Sequence, residues 1–249
     1  VTLRTAEHPY FAGPTPRVYA HRGLHTTAPE NTASSFRAAI ALGVTYLETD
    51  VVGSKDGVAV ISHDATLDRI SNRTGRLSDF TAAELAEVDL GGEGFITLAE
   101  ALEQFPTARF NIDVKDTAAI SGVVSAVRDA NALNRVLVTS FSASRRRATV
   151  AQLPGVASSA ASSEFLAIAA MTRLGLTPPL PHIHALQIPE RAYGVTFVTE
   201  QLVENYHRAG LEVHVWTVND EATMRRLLGF GIDGIVTDRA DIALDVIAS

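Results

Sequence analysis

Short β-rich runs alternate with longer helical patterns along all 249 residues of this chain. Such alternation restricts the chain to parallel α/β architectures, because each helix returns the backbone to start another parallel strand. The β-rich runs fall at residues 17–20, 45–52, 109–115, 135–140, 156–160, 185–188, 212–217 and 234–237. Helical patterns occupy 31–42, 117–130, 143–153, 162–174, 200–209 and 221–230. Runs such as VLVTSF and VHVWTV suit a sheet buried on both faces. Gly210 and Gly231 stand where helix C-caps fall, each just before the next strand. A doubly wound sheet would share this pattern. Eight strand–helix units in about 250 residues favour closure into a TIM (β/α)₈ barrel. Residues 53–94 break the rhythm with VAVISHD, a turn-rich stretch and a short helical pattern near 81–88. We read them as a small insertion after the second strand, which leaves one domain over 1–249.

Hydrophobic residues make up 46% of the chain and aromatics only 6%, so Ala, Val, Leu and Ile must fill the core. No apolar run approaches the ~18 residues of a membrane span. The first twenty residues lack the basic start and apolar stretch of a signal peptide, so a cytoplasmic protein is expected. A chain beginning with Val also allows a secreted form whose leader has been removed. Without cysteine there are no disulfides, thiolate metal sites or cysteine nucleophile. The net charge of −7 argues against a general nucleic-acid binder. The one basic run, Arg145-Arg146-Arg147, is expected on a solvated helix face. Oligomeric state is not legible.

Catalytic groups of a TIM barrel gather at the C-terminal ends of its strands. There the first strand runs into His21-Arg22-Gly23. Glu48 and Asp50 lie two residues apart on the second strand and share a face, as do Asn111, Asp113 and Lys115 on the third. Neighbouring carboxylates repel, and a bound cation relieves this. Three acids without thiolate suit Mg²⁺ or Ca²⁺ better than Zn²⁺. The competing reading puts Glu48 and Asp50 in solvent on an edge strand, against the apolar character of Leu47, Val51 and Val52. His21 and His63 each follow a β-type run, and imidazole titrates where proton transfer near neutral pH needs it. Arg22 and Lys115 supply positive charge for a phosphate. Asn31 is expected as a helix N-cap, aiming that helix dipole at the same mouth. Pro181-His182-Ile183-His184 reads as a loop entering the sixth strand, with a second metal site as the alternative. His25 reads either as a phosphate contact or as a loop residue.

Taken in order, HRG (21–23), PENT (29–32), LETDV (47–51), SKDGVAVISHD (54–64), TLDR (66–69), NIDVK (111–115), VWTVN (215–219) and DGIVTD (233–238) closely resemble the glycerophosphodiester phosphodiesterase family. The likeness spans almost the whole chain, is strongest up to residue 115 and weakest over 143–198. It implies a TIM barrel with the same insertion. It implies His21 and His63 as acid/base pair, and one divalent cation, Mg²⁺ or Ca²⁺, on Glu48, Asp50 and Asp113. It implies Arg22 and Lys115 as phosphate contacts and Trp216 as part of the pocket lining. The third acid is often Glu in the family, and the shorter Asp113 leaves the choice of metal open.

The resemblance implies hydrolysis of small glycerophosphodiesters to sn-glycerol 3-phosphate and an alcohol. The glycerol 2-hydroxyl would attack phosphorus, and water would open the resulting cyclic phosphate. Sphingomyelinase D-type enzymes share the layout of two histidines and three acids, so a lysophospholipase D or sphingomyelinase D-type activity is the rival expectation. A non-catalytic phosphodiester-binding barrel is a second rival, although none of the expected groups is missing.

Overall fold

The computed structural model describes residues 5–26, 28–192 and 194–249. In chain order the elements are β1 (Arg17–His21), α1 (Ala33–Ala41), β2 (Tyr46–Gly53), β3 (Ala59–Ile61), α2 (Ala82–Ala86), α3 (Leu98–Gln104), β4 (Arg109–Val114), α4 (Ala119–Asp129), β5 (Val136–Thr139) and α5 (Ala143–Gln152). There follow β6 (Ala157–Ser158), α6 (Ser162–Arg173), β7 (Ala185–Ile188), β8 (Arg191–Ala192), β9 (Val195–Thr196), α7 (Glu200–Arg208), β10 (Glu212–Val215), α8 (Glu221–Gly229), β11 (Gly234–Thr237) and α9 (Ala240–Ala248).

Eight strands run parallel in the order β6-β5-β4-β2-β1-β11-β10-β7. A parallel bridge between Ser159 and Ala185 brings the two ends together. The result is a nearly closed TIM barrel with helices between its strands. Each expected strand is present, those at 185–188 and 234–237 with the expected bounds and the others shortened, extended or shifted by up to a few residues. The expected helices are present too, while α3 and α9 lie beyond those read from the sequence. The antiparallel strand β3 pairs with the end of β2, from Val51 opposite Ile61 to Gly53 opposite Ala59. Beyond it, Leu67, Leu77, Leu85, Val88, Leu90 and Phe95 form a small core of their own with Val52 and Val60.

The period of two along a strand sorts the barrel interior. Tyr19 of β1 is in register with Tyr46 of β2, and one step higher His21 is level with Glu48. The lower layer is apolar, with Tyr19, Tyr46, Leu137, Ala157, Ala185 and Val236 packed on Tyr10 and Phe11 of a short 3₁₀ turn. The charged layers therefore sit at the C-terminal strand ends. Outward residues such as Leu47, Val51, Ile112 and Val138 pack against the helices in the main core.

Two expectations need correction. The cap of α1 is Thr32, whose hydroxyl accepts from the Ser35 amide in a capping box. Asn31 lies just before it at φ 57°, and its side chain turns to β2 instead. Nor is the basic run a solvated face throughout. Arg146 is 1% exposed, with its guanidinium paired to both Glu164 oxygens at 2.8 and 2.9 Å and bonded to Ser158 Oγ at 3.0 Å. An arginine planted between α5 and α6 is tolerated because its donors are met. The His182–His184 segment does lead into β7. His184 is buried, its Nδ1 accepts from the Ser158 amide, and burial followed by the charge of His8 lowers it to about 4. It is a neutral packing residue. Among the described residues no helix is long and apolar enough to cross a membrane.

Candidate active site

A cleft of about 560 Å³ opens at the C-terminal end of the barrel. His21, Arg22, Glu48, Asp50, His63, Asp113, Lys115 and Trp216 all line it. Phe141, Phe165, Leu166, Ile188 and Phe197 add an apolar wall to the same cleft. Phe141 is 58% exposed and meets Trp216 edge to face, with ring centroids 5.9 Å apart.

The turn after β1 presents the first charged pair. Arg22 is left-handed at φ 57° and Gly23 at φ 80°. A Cβ on Gly23 would stand 2.8 Å from that of Ser35, so only glycine lets this turn lie on the start of α1. The Ser35 hydroxyl donates to the Arg22 carbonyl at 3.1 Å and fixes the turn. His21 Nδ1 pairs with Asp238 Oδ1 at 2.6 Å, leaving Nε2 3.9 Å from Glu48 Oε2. Burial opposes a charge on His21, but the Asp238 hydrogen bond and the charge of Glu48 outweigh it and raise its pKa. Asp238 is lowered in turn. Burial opposes this, and hydrogen bonds from His21, His25 and Asn219 overcome it.

His63 follows β3, and its Nδ1 pairs with Asp64 Oδ1 at 2.7 Å. The other Asp64 oxygen takes Arg69 Nε, and Arg69 also reaches Glu30, which binds Arg22 Nη1 at 3.0 Å. Each histidine thus has an aspartate on Nδ1, and each aspartate is anchored through its second oxygen.

The floor holds the acids. Register places Asn111 beside Glu48 and Asp113 beside Asp50. Lys115 Nζ bridges Asp50 at 2.7 Å and Asp113 at 2.8 Å. Its pKa is raised, since burial is outweighed by those two charges. Glu48 is pushed up to about 7 by burial first and the charge of Asp50 second. Asp113 is raised by burial. Asn31 Nδ2 donates to Asp50 Oδ2 at 3.2 Å, and Asn31 Oδ1 accepts from Thr49 at 2.8 Å. Asp113 Oδ1, Asn111 Oδ1 and Arg22 Nε are buried without hydrogen-bond partners. Orphaned oxygens among crowded acids fit a hard cation. The ligand oxygens of Glu48, Asp50 and Asp113 do not all lie within 4.8 Å of one another. Among the described residues, the group whose ligand atoms all lie within 4.8 Å of one another is His21, His25 and Asp238.

His25 thus faces Asp238 and does not line the cleft. Sequence reasoning overlooked Asp238 and Asn219 as site residues. The signal was available, because both follow the last two barrel strands at their C-terminal ends.

The family model described as glycerophosphoryl diester phosphodiesterase matches residues 21–242. A Mycobacterium tuberculosis protein named probable glycerophosphodiester phosphodiesterase 2 is 39% identical over 92% of this chain and 89% of its own. A glycerophosphodiester phosphodiesterase of Caldanaerobacter subterraneus is 30% identical over 92% and 97%. The structure of an Oleispira antarctica phosphodiesterase in complex with the product sn-glycerol-3-phosphate superposes with a TM-score of 0.79 at 27% identity, covering 94% of this chain and 98% of that one. Fold, cleft and relatives together define a TIM-barrel enzyme of the phosphoric diester hydrolase class. The chain belongs to the glycerophosphoryl diester phosphodiesterase family.

Proposed function

We propose that this protein hydrolyses glycerophosphodiesters to sn-glycerol 3-phosphate and a free alcohol, using His21 and His63 as acid/base pair and one divalent cation, Mg²⁺ or Ca²⁺, on Glu48, Asp50 and Asp113. The supporting observation is that both histidines, each backed by an aspartate, open onto the one cleft whose floor carries these acids, Arg22 and Lys115. The product bound by the Oleispira relative supports the same product here. We read 1–249 as one domain, with 53–94 as the insertion that brings His63 to the mouth.

When bound, the cation would neutralise phosphoryl charge and orient the glycerol hydroxyls. Arg22 and Lys115 hold the phosphoryl oxygens. One histidine takes the proton from the glycerol 2-hydroxyl as that oxygen bonds to phosphorus. The other gives a proton to the departing alcohol oxygen as its bond to phosphorus breaks. Water then opens the cyclic phosphate with the roles exchanged. Asp238 and Asp64 hold each ring by Nδ1 and leave Nε2 for the transfer. A lysophospholipid is the second candidate substrate, favoured by the apolar wall in which Phe165 and Leu166 take part.

Turnover of glycerophosphocholine and of lysophosphatidylcholine by the wild type, His21→Ala and His63→Ala tests the reading. Each replacement should cut kcat by about 10²–10⁴-fold on the preferred substrate, with the circular dichroism melt intact. Full activity in both variants sinks the acid/base assignment, and faster lysolipid cleavage selects the second substrate.

A further inference from the structure

We propose a second cation site on the barrel rim, formed by His21, His25 and Asp238, that takes a borderline transition metal such as Zn²⁺ and switches His21 off when filled. The switching half rests on the acid/base reading of His21 above; the site itself does not.

Strand pairing builds the site. Ala20 of β1 is in register with Thr237 of β11, so the next residues, His21 and Asp238, emerge side by side. The Arg22–Gly23 turn then brings His25 back over the same carboxylate. Asp238 Oδ1 stands 2.6 Å from His21 Nδ1 and 3.1 Å from His25 Nε2, and the three ligand atoms lie within 4.8 Å of one another. Ligands about 2.0–2.2 Å from a tetrahedral zinc are about 3.3 Å apart, slightly wider than the 2.6 and 3.1 Å contacts here and within the 4.8 Å that bounds all three atoms. Asn219 Nδ2 holds the other Asp238 oxygen at 2.7 Å, so the carboxylate is already aimed.

Ligand chemistry separates this site from the floor of the cleft. Two imidazoles and one carboxylate suit Zn²⁺, Co²⁺ or Cu²⁺, whereas the all-oxygen floor suits Mg²⁺ or Ca²⁺. The side chains of His21, His25 and Asp238 are 19%, 27% and 29% exposed, so an ion can reach them and keep water at a fourth position. His25 has no place in the cleft lining, and its only side-chain hydrogen bond among the described residues is to Asp238.

Filling the site changes what His21 can do. Its Nδ1, now a donor to Asp238, becomes a lone-pair ligand, and the remaining ring proton resides on Nε2. That nitrogen faces Glu48 and the cleft. It then has no free lone pair to take a proton. Inhibition should therefore lower kcat and leave KM nearly unchanged, since the substrate's own contacts are not displaced.

Co²⁺ serves as the probe, added to the Mg²⁺-saturated protein so that the oxygen-rich floor is competed. Wild-type protein should bind one Co²⁺ with the visible absorption of a four-coordinate nitrogen–oxygen site. His25→Asn should lose that spectrum, keep its basal turnover, and need more than about 10–100-fold more Zn²⁺ for half inhibition, the loss that an outer-shell partner alone causes. Absence of the spectrum in the wild type, or its persistence in His25→Asn, overturns the proposal. Loss of the spectrum in His25→Asn while neither metal slows the wild type upholds the site and overturns the acid/base role of His21 instead.

Discussion

Glu48 shows how strongly a single side chain is set by its surroundings. Its carboxyl is raised from the ordinary 4.5 to about 7, first by burial and then by Asp50. The folded state therefore prefers Glu48 protonated. The stability this gives is whole below the unfolded pKa and is lost as pH rises through the folded value. With the cation chelated, Glu48→Gln keeps an uncharged group at every pH. It should match the wild type near pH 4 and exceed it by about 1–3 kcal/mol near pH 8. Thermal melts in EDTA across that range check this. Equal melting temperatures at the alkaline end would show that Glu48 is not held in a charge-averse site.

Between elements, close contact can reverse the usual sign of a substitution. Gly122 lies within α4, where alanine ordinarily gains about 1 kcal/mol over glycine. Here a Cβ would run into the Ala59 amide and come within 2.9 Å of the Gly57 carbonyl, both backbone atoms beside β3. Gly122→Ala should therefore destabilise by about 1–3 kcal/mol, since backbone cannot step aside as a flexible side chain does. A urea midpoint that rises instead would show that α4 does not lie against the β3 hairpin. The seam between α5 and α6 is of another kind, held by the buried guanidinium of Arg146 on Glu164.

For the molecule as a whole, the cleft draws its charge from β1, β2, β4 and the segment after β3, with Asp238 at the end of β11 holding His21 in place. A cation that binds only where these meet binds only the folded chain. Mg²⁺ or Ca²⁺ at a hundred times its dissociation constant should add about 2.7 kcal/mol, raising Tm by about 5–11 °C. EDTA should remove the gain, and Asp113→Asn should abolish most of it. A melting temperature indifferent to both ions would argue against the acid floor as a cation site.

Local pattern was enough for the eight strands, for the helices between them other than α3 and α9, and for the glycines that end α7 and α8, because periodicity and capping are properties of neighbouring residues. It was also enough to gather His21, Glu48, Asp50 and Asp113, since barrel strands all deliver their C-terminal ends to one mouth, whereas His63 reaches the same cleft from the antiparallel β3 of the insertion. Tertiary structure alone decided the rest. His21 and Asp238 are 217 positions apart, and they meet only because β11 closes the barrel against β1. Arg146 reads as one of three solvated arginines until α6 brings Glu164 over it. Asn31 has the chemistry of a cap, yet its left-handed backbone turns the amide to Asp50 and leaves Thr32 to cap the helix. Sequence patterning determines which residues can share a face. Which faces then touch depends on chain closure over distances that no local period spans.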